Sequence, residues 1–150
     1  MGNFIRSFEQ LDYLEEPDLF HDIFGHVPML SDPAMARLME HVGKLGVAAI
    51  AQGHGEVVAR IYWHSVEFGL SRENGEVKIF GAGLASSFGE FRVSLDSDAV
   101  LRPRFSVEAA AATPYENDHM QPLYFVSDGV ESVAAEIGAI DEDRLAELAK

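Results

Sequence analysis

Glu16-Pro17-Asp18-Leu19-Phe20-His21-Asp22-Ile23-Phe24-Gly25-His26-Val27-Pro28 is the stretch around which the rest of the chain is organised. Its two histidines stand five residues apart, framed by Leu19, Phe20, Ile23, Phe24 and Val27. On an unbroken α-helix that spacing turns the imidazoles about 140° away from each other, too far for one small ion. A break near Gly25, followed by Pro28, would swing His26 round to face His21. Imidazole suits iron, zinc, copper and nickel, and a pair of them needs at least one further ligand. Spacing alone leaves a second reading open: two core histidines whose ring nitrogens are hydrogen-bonded.

Composition narrows the classes. The 150 residues include ten Phe, four Tyr and one Trp, and 47% are hydrophobic, which suits one globular domain with a real core. A formal net charge of −14 argues against nucleic acid and anionic membrane as partners. With no cysteine there is no disulfide and no thiolate, so any metal must be held by His, Asp and Glu. Neither a signal-peptide pattern nor an apolar run of bilayer length is found, and a cytoplasmic protein is expected.

Outward from the histidines, Met1 to Glu15 reads as an extended lead-in whose cation, Arg6, is locally no more than a solvated charge. Glu16-Pro17-Asp18 reads as the start of the helix carrying His21. Asp32-Pro33 starts a second helix, along which Met35, Leu38, Met39, Val42, Leu45 and Val47 to Ile50 follow a helical period until Gly53 and Gly55. Glu56 to Leu70 reads as a third, with Val57, Val58, Ile61, Tyr62 and Val66 as core positions. On it Trp63 and Glu67 share one face, and His64 and Phe68 share the next. Arg72-Glu-Asn-Gly75 reads as a hairpin turn leading into a strand over Glu76 to Phe80. Gly81 to Ser87 reads as a small, flexible stretch. Phe91 to Leu95 and Ser106 to Ala112 are ambiguous, Leu123 to Ser127 is a short strand, and Asp128 to Ile137 and Asp141 to Lys150 are helical. The expected class is α+β, predominantly helical, with short strands.

The missing third ligand should be a carboxylate on a neighbouring buried helix, and Glu67 is the candidate. It sits in an apolar run, where a buried charge needs a partner that a cation would supply. Two imidazoles and one carboxylate on one side of an ion leave positions open on the other, which suits non-heme iron(II). Catalytic zinc is the competitor, but the four-residue helical zinc signature with its glutamate base is lacking. A two-metal reading through His64 and Glu67 wants a duplicate motif that is not found. Asp12, Asp18, Asp22 and Glu40 read as caps and surface charges.

Several blocks then carry a resemblance: Phe4-Ile-Arg6, Glu16-Pro17-Asp18, His21 to Pro28, Tyr62-Trp63-His-Ser-Val-Glu67-Phe-Gly-Leu70, Gly75-Glu-Val-Lys78, Gly81-Ala-Gly83-Leu-Ala-Ser86-Ser87 and Gln121-Pro-Leu-Tyr-Phe-Val126. In order, and nearly without gaps from Phe4 to about Ser127, they resemble the catalytic core of the aromatic amino acid hydroxylases, the bacterial phenylalanine 4-hydroxylases above all. The resemblance implies that residues 1–150 form a single truncated catalytic domain and that His21, His26 and Glu67 bind iron(II). It implies that Arg6 pairs with a substrate carboxylate, which a guanidinium grips in a two-pronged fork. Trp63 would wall the substrate ring, and Pro17, Gly83, Ser86 and Ser87 would line the same pocket. Ser86 and Ser87 would also orient His21. Asp22 would contact a tetrahydropterin through water, and Tyr62 would lie near the oxygen site. An aromatic amino acid and dioxygen are the implied small-molecule partners, and Asn117 stands where the family tunes substrate preference.

Family members carry a further stretch before the position of Phe4, which supplies the aromatic residue stacked on the pterin. The expectations are therefore a fragment, a short member completed as a homodimer, or one that dispenses with tetrahydropterin. The leading expectation is an iron(II) monooxygenase on an aromatic amino acid. The alternatives are a pterin-independent iron oxygenase on a related aromatic compound, a metal-containing binding module without catalysis, and a helical domain whose histidines are structural.

Overall fold

The structure, a computed structural model, describes residues 2–150. It is 56% helical with one small sheet, the α+β architecture that the residue patterns lead one to expect. Short 3-10 turns at Phe8–Gln10 and Pro28–Ser31 flank a π-helical turn at His21–His26. Helix α1 (Pro33–Gln52) follows, then α2 (Gly55–Tyr62), which runs directly into a second π-helical turn at Trp63–Glu67. Strands β1 (Leu70–Glu73) and β2 (Glu76–Ile79) come next, then α3 (Ala82–Ser86), α4 (Phe88–Asp96) and α5 (Val107–Ala112). Strand β3 (Val126–Ser127), α6 (Val130–Gly138) and α7 (Glu142–Leu148) complete the chain.

Helix α1 begins as its sequence dictates. Asp32 Oδ1 accepts the N–H groups of Ala34 at 2.7 Å and Met35 at 3.3 Å, and Pro33 opens the first turn. Its inward stripe is Met35, Leu38, Val42, Leu45 and Ala49, packed against α2 and α6. Val47 and Ile50, which the period also admits, point outward at 74% and 73% exposure. With Val57, Val58, Ile61, Val66, Phe105, Phe125, Val133, Ile137 and Leu145 this stripe forms the main core. A second cluster, Phe68, Leu70, Leu84, Tyr124 and Val126, lies beside the sheet.

Three local readings give way to the tertiary structure. The helix expected over Glu56 to Leu70 stops early: its end unwinds into the π-helical turn, and Leu70 enters β1. The sheet decides this, because Leu70 pairs with Ile79 on one side and with Val126 on the other. The Asn-Gly turn stands as expected, with positive φ at both Asn74 (53°) and Gly75 (86°). The stretch from Gly81 to Ser87 is not loose: Ala82–Ser86 is helical, and its small side chains let it pack against the His21–His26 turn. Likewise the lead-in forms a 3-10 turn, and its Arg6 is not solvated but 8% exposed. Among the described residues no helix is long and apolar enough to cross a membrane.

Candidate active site

Asp18 caps the first functional segment. The chain turns helical at Leu19, and Asp18 Oδ1 accepts the His21 N–H at 2.9 Å. Beyond it the chain does not break at Gly25. It widens into a π-helix, whose bonds join residues five apart and so bring residues at that spacing onto one face. The pair that an α-helix would splay is thereby brought together, with His21 Nε2 and His26 Nε2 3.0 Å apart. Gly25 is buried on this turn because α3 passes close by: a Cβ there would stand 2.9 Å from the Ala82 carbonyl oxygen.

The second π-helical turn presents the carboxylate. The Phe68 N–H donates to the Trp63 carbonyl, five residues back, at 2.9 Å. The same spacing lets the Tyr62 hydroxyl donate to Glu67 Oε1 at 2.5 Å. Glu67 is buried, with Oε1 3.1 Å from His26 Nε2 and Oε2 3.7 Å from His21 Nε2. Two ligands at right angles on bonds of about 2.1 Å lie about 3.0 Å apart, and at the tetrahedral angle about 3.4 Å. The three edges fall around those values, so the donor set fits one divalent ion of the iron or zinc size.

Proton placement agrees with that fit. The Ser86 hydroxyl donates to the Ala82 carbonyl at 2.9 Å, so it accepts from His21 Nδ1 at 2.8 Å. That leaves His21 Nε2 as an unprotonated donor facing Glu67 and His26. Burial holds His21 below its ordinary pKa, while the hydrogen bond with Glu67 pushes His26 up. Burial works to raise Glu67, yet the hydrogen bonds from His26 and Tyr62 bring it below the usual carboxylate range. Burial, then the nearby Glu67 charge, pushes the Tyr62 phenol up, so Tyr62 stays a donor. The site as a whole draws positive charge, a proton or a metal cation alike. Among the described residues His26 Nδ1 is buried without a partner, so of the two imidazoles His21 alone is gripped there through its second nitrogen.

A cavity of about 140 Å³ opens beside these groups. Arg6, Pro17, Trp63, Gly83, Ser86 and Ser87, the expected substrate-facing set, all line it. Arg6 is tightly held: Nε donates to Asp18 Oδ2 at 2.9 Å, Nη2 to Asp18 Oδ1 at 2.7 Å, and Nη1 to the Ser86 carbonyl at 2.5 Å. Among the described residues three of its five N–H donors are used, which leaves two for a ligand. Asp18 is thus no surface charge. It is fully buried, and the Arg6 hydrogen bonds hold its carboxyl far below the usual range. Trp63 stacks between Phe68 at 4.9 Å and Tyr115 at 4.3 Å, which makes a rigid aromatic wall. Asp22 accepts the Gly2 N–H at 2.7 Å and does not line the cavity. His64 turns away from Glu67, its Nε2 bonded to the Thr113 carbonyl at 3.0 Å, which closes the two-metal reading.

Sequence reasoning missed Tyr115 and Glu90, both at the cavity or its wall. Neither sits in a periodic run with the histidines. Glu90 carries a weak signal, a carboxylate three residues after a Ser cap, but that pattern also marks an ordinary helix start.

Comparison with known proteins agrees with this geometry. The family described as "Biopterin-dependent aromatic amino acid hydroxylase" matches residues 1–143. A phenylalanine-4-hydroxylase of Caulobacter vibrioides is 43% identical over 98% of this chain and 51% of its own length. A tyrosine 3-monooxygenase of Caenorhabditis briggsae is 40% identical over 89% of this chain and 26% of its own. The crystal structure of phenylalanine hydroxylase from Chromobacterium violaceum carrying Y155A superposes with a TM-score of 0.91 at 40% identity, covering 98% of this chain and 53% of that one. The chain spans about half the length of the bacterial relatives it matches. It belongs to the biopterin-dependent aromatic amino acid hydroxylases.

Proposed function

We propose that the chain carries the iron(II) and substrate sites of an aromatic amino acid monooxygenase, with His21, His26 and Glu67 as the iron ligands. The observation that carries this reading is the convergence of those donors, 3.0 to 3.7 Å apart, beside a cavity that also holds Arg6 and Trp63. Iron(II) bound there would supply dioxygen activation, with a tetrahydropterin as the two-electron reductant.

The chain's own residues do the rest. Ser86 fixes the His21 tautomer, and Tyr62 steadies Glu67. Arg6, locked by Asp18, offers its two remaining donors to a substrate carboxylate. The Trp63 face, held by its stacking on Phe68 and Tyr115, orients the substrate ring next to His21 and Glu67. Phenylalanine is the substrate we favour. Asp22 remains the residue assigned to the pterin, through its second carboxylate oxygen. A cytoplasmic location is proposed as part of the same reading. Exposed apolar side chains, Phe8 at 82% and Phe24 at 60% among them, support association into a homodimer.

Metal analysis joined to product identification tests the proposal. One iron per chain and a hydroxylated ring are expected when phenylalanine, dioxygen and tetrahydropterin are supplied together. Turnover without pterin would favour the pterin-independent alternative, and iron binding with no product under any combination would leave a binding module. A monomer at every concentration in sedimentation would exclude the homodimer.

A further inference from the structure

Glu90 is a buried carboxyl for which the iron site has no use. It is 2% exposed, stands in the first turn of α4, and lines the same cavity as Arg6 and Trp63. Its Oε1 accepts both the Gln121 N–H and the Tyr124 hydroxyl at 2.9 Å. Its Oε2 accepts no hydrogen bond among the described residues. Burial pushes the carboxyl up despite those two donors, so the environment is short of positive charge.

The proposed substrate carries a complementary pair of charges. An α-amino acid brings a carboxylate and, one carbon away, an ammonium. Arg6 answers the first. Its Nη1 is bonded to the Ser86 carbonyl, four residues before Glu90 along the chain, so cation and acid flank one stretch of cavity wall. The other carboxylates at the cavity do not serve. Glu67 faces the two imidazoles, and Glu15, Glu16 and Glu116 are exposed, where water screens them.

Resting on the amino acid reading above, we infer that Glu90 binds the substrate's α-ammonium through Oε2, making the pocket selective for zwitterionic amino acids over the corresponding deamino acids. An ammonium placed there supplies the charge that the buried carboxyl lacks, and the hydrogen bond between two charged groups is of the strong class. Gln121 and Tyr124 act as positioning residues, since they hold Oε1 and leave Oε2 toward the ligand.

Trp63, the one tryptophan of the chain, gives a readout independent of turnover. Its fluorescence is followed while the protein is titrated with L-phenylalanine and, separately, with 3-phenylpropanoate. Wild type should prefer L-phenylalanine by at least about tenfold. Glu90→Gln keeps an oxygen for Gln121 and Tyr124, and should lower that ratio to near one while leaving 3-phenylpropanoate affinity unchanged. Glu116→Gln should leave the ratio as in wild type. L-Phenylalanine binding with an unchanged ratio in E90Q overturns the assignment to Glu90 alone. A wild-type ratio below about threefold overturns it even if E90Q fails to fold. No binding of either compound overturns the amino acid reading itself, and the assignment with it.

Discussion

Asp18→Asn tests whether the buried Arg6–Asp18 pair organises the pocket. Asp18 is fully buried, Arg6 is 8% exposed, and the carboxylate accepts from Arg6 N, Nε and Nη2 and from His21 N, all between 2.7 and 2.9 Å. An amide of the same shape has one oxygen, so whichever way it is turned its NH₂ faces two N–H donors. The Arg6 charge is left buried without its counter-charge. Breaking such a pair costs about 3–5 kcal/mol, a large fraction of the roughly 5–15 kcal/mol that holds a domain folded. At about 2–4 °C per kcal/mol for a chain of this size, the melting temperature should fall by about 10 °C. Iron affinity should also fall, because the same carboxylate caps the turn that carries His21. Thermal unfolding by circular dichroism, with and without iron(II), measures both effects. A D18N protein within about 0.5 kcal/mol of wild type would refute the reasoning, since the pair would then be worth no more than an exposed ion pair.

Other expectations follow from single contacts. Glu67→Ala should abolish iron binding in metal analysis, and full iron occupancy in that variant would remove Glu67 from the ligand set. Ser86→Ala removes the acceptor at His21 Nδ1 and should weaken iron affinity by about 10- to 100-fold in a competition titration, with the fold retained. Gly25→Ala places a Cβ 2.9 Å from the Ala82 oxygen and should destabilise by about 1–3 kcal/mol; an unchanged midpoint in urea would contradict the close packing of α3. Glu90 bears on pH. Its folded pKa is raised, so its contribution to stability is complete below the unfolded value of about 4.3 and is lost as pH rises through the folded value. Glu90→Gln should therefore gain on wild type as pH climbs from acid toward neutral, and parallel stability curves would refute it.

The residue pattern by itself determined much of this protein. Asp32-Pro33 and the stripe Met35, Leu38, Val42, Leu45 lay down α1, and Asn74-Gly75 lays down the hairpin, because caps, apolar periodicity and positive-φ turns are local physics. The histidine pair and Glu67 were legible as ligand candidates, since a charge in an apolar run needs a partner wherever the chain goes. What only the tertiary structure decided is how they meet. Two π-helical turns bring together residues five apart, and neither can be seen in an apolar period near 3.6. Asp18 reads locally as a cap and an exposed charge, and only the arrival of Arg6 from the lead-in buries it. Gly81 to Ser87 reads as loose, and becomes a buried helix because the His21 turn packs against it. Glu90 looks like any helix-start acid until Gln121 and Tyr124 arrive from about 30 residues downstream and close it into the cavity wall. Contacts between distant parts of the chain leave no mark on either segment alone, so the donors could be read from the sequence while their geometry had to come from the fold.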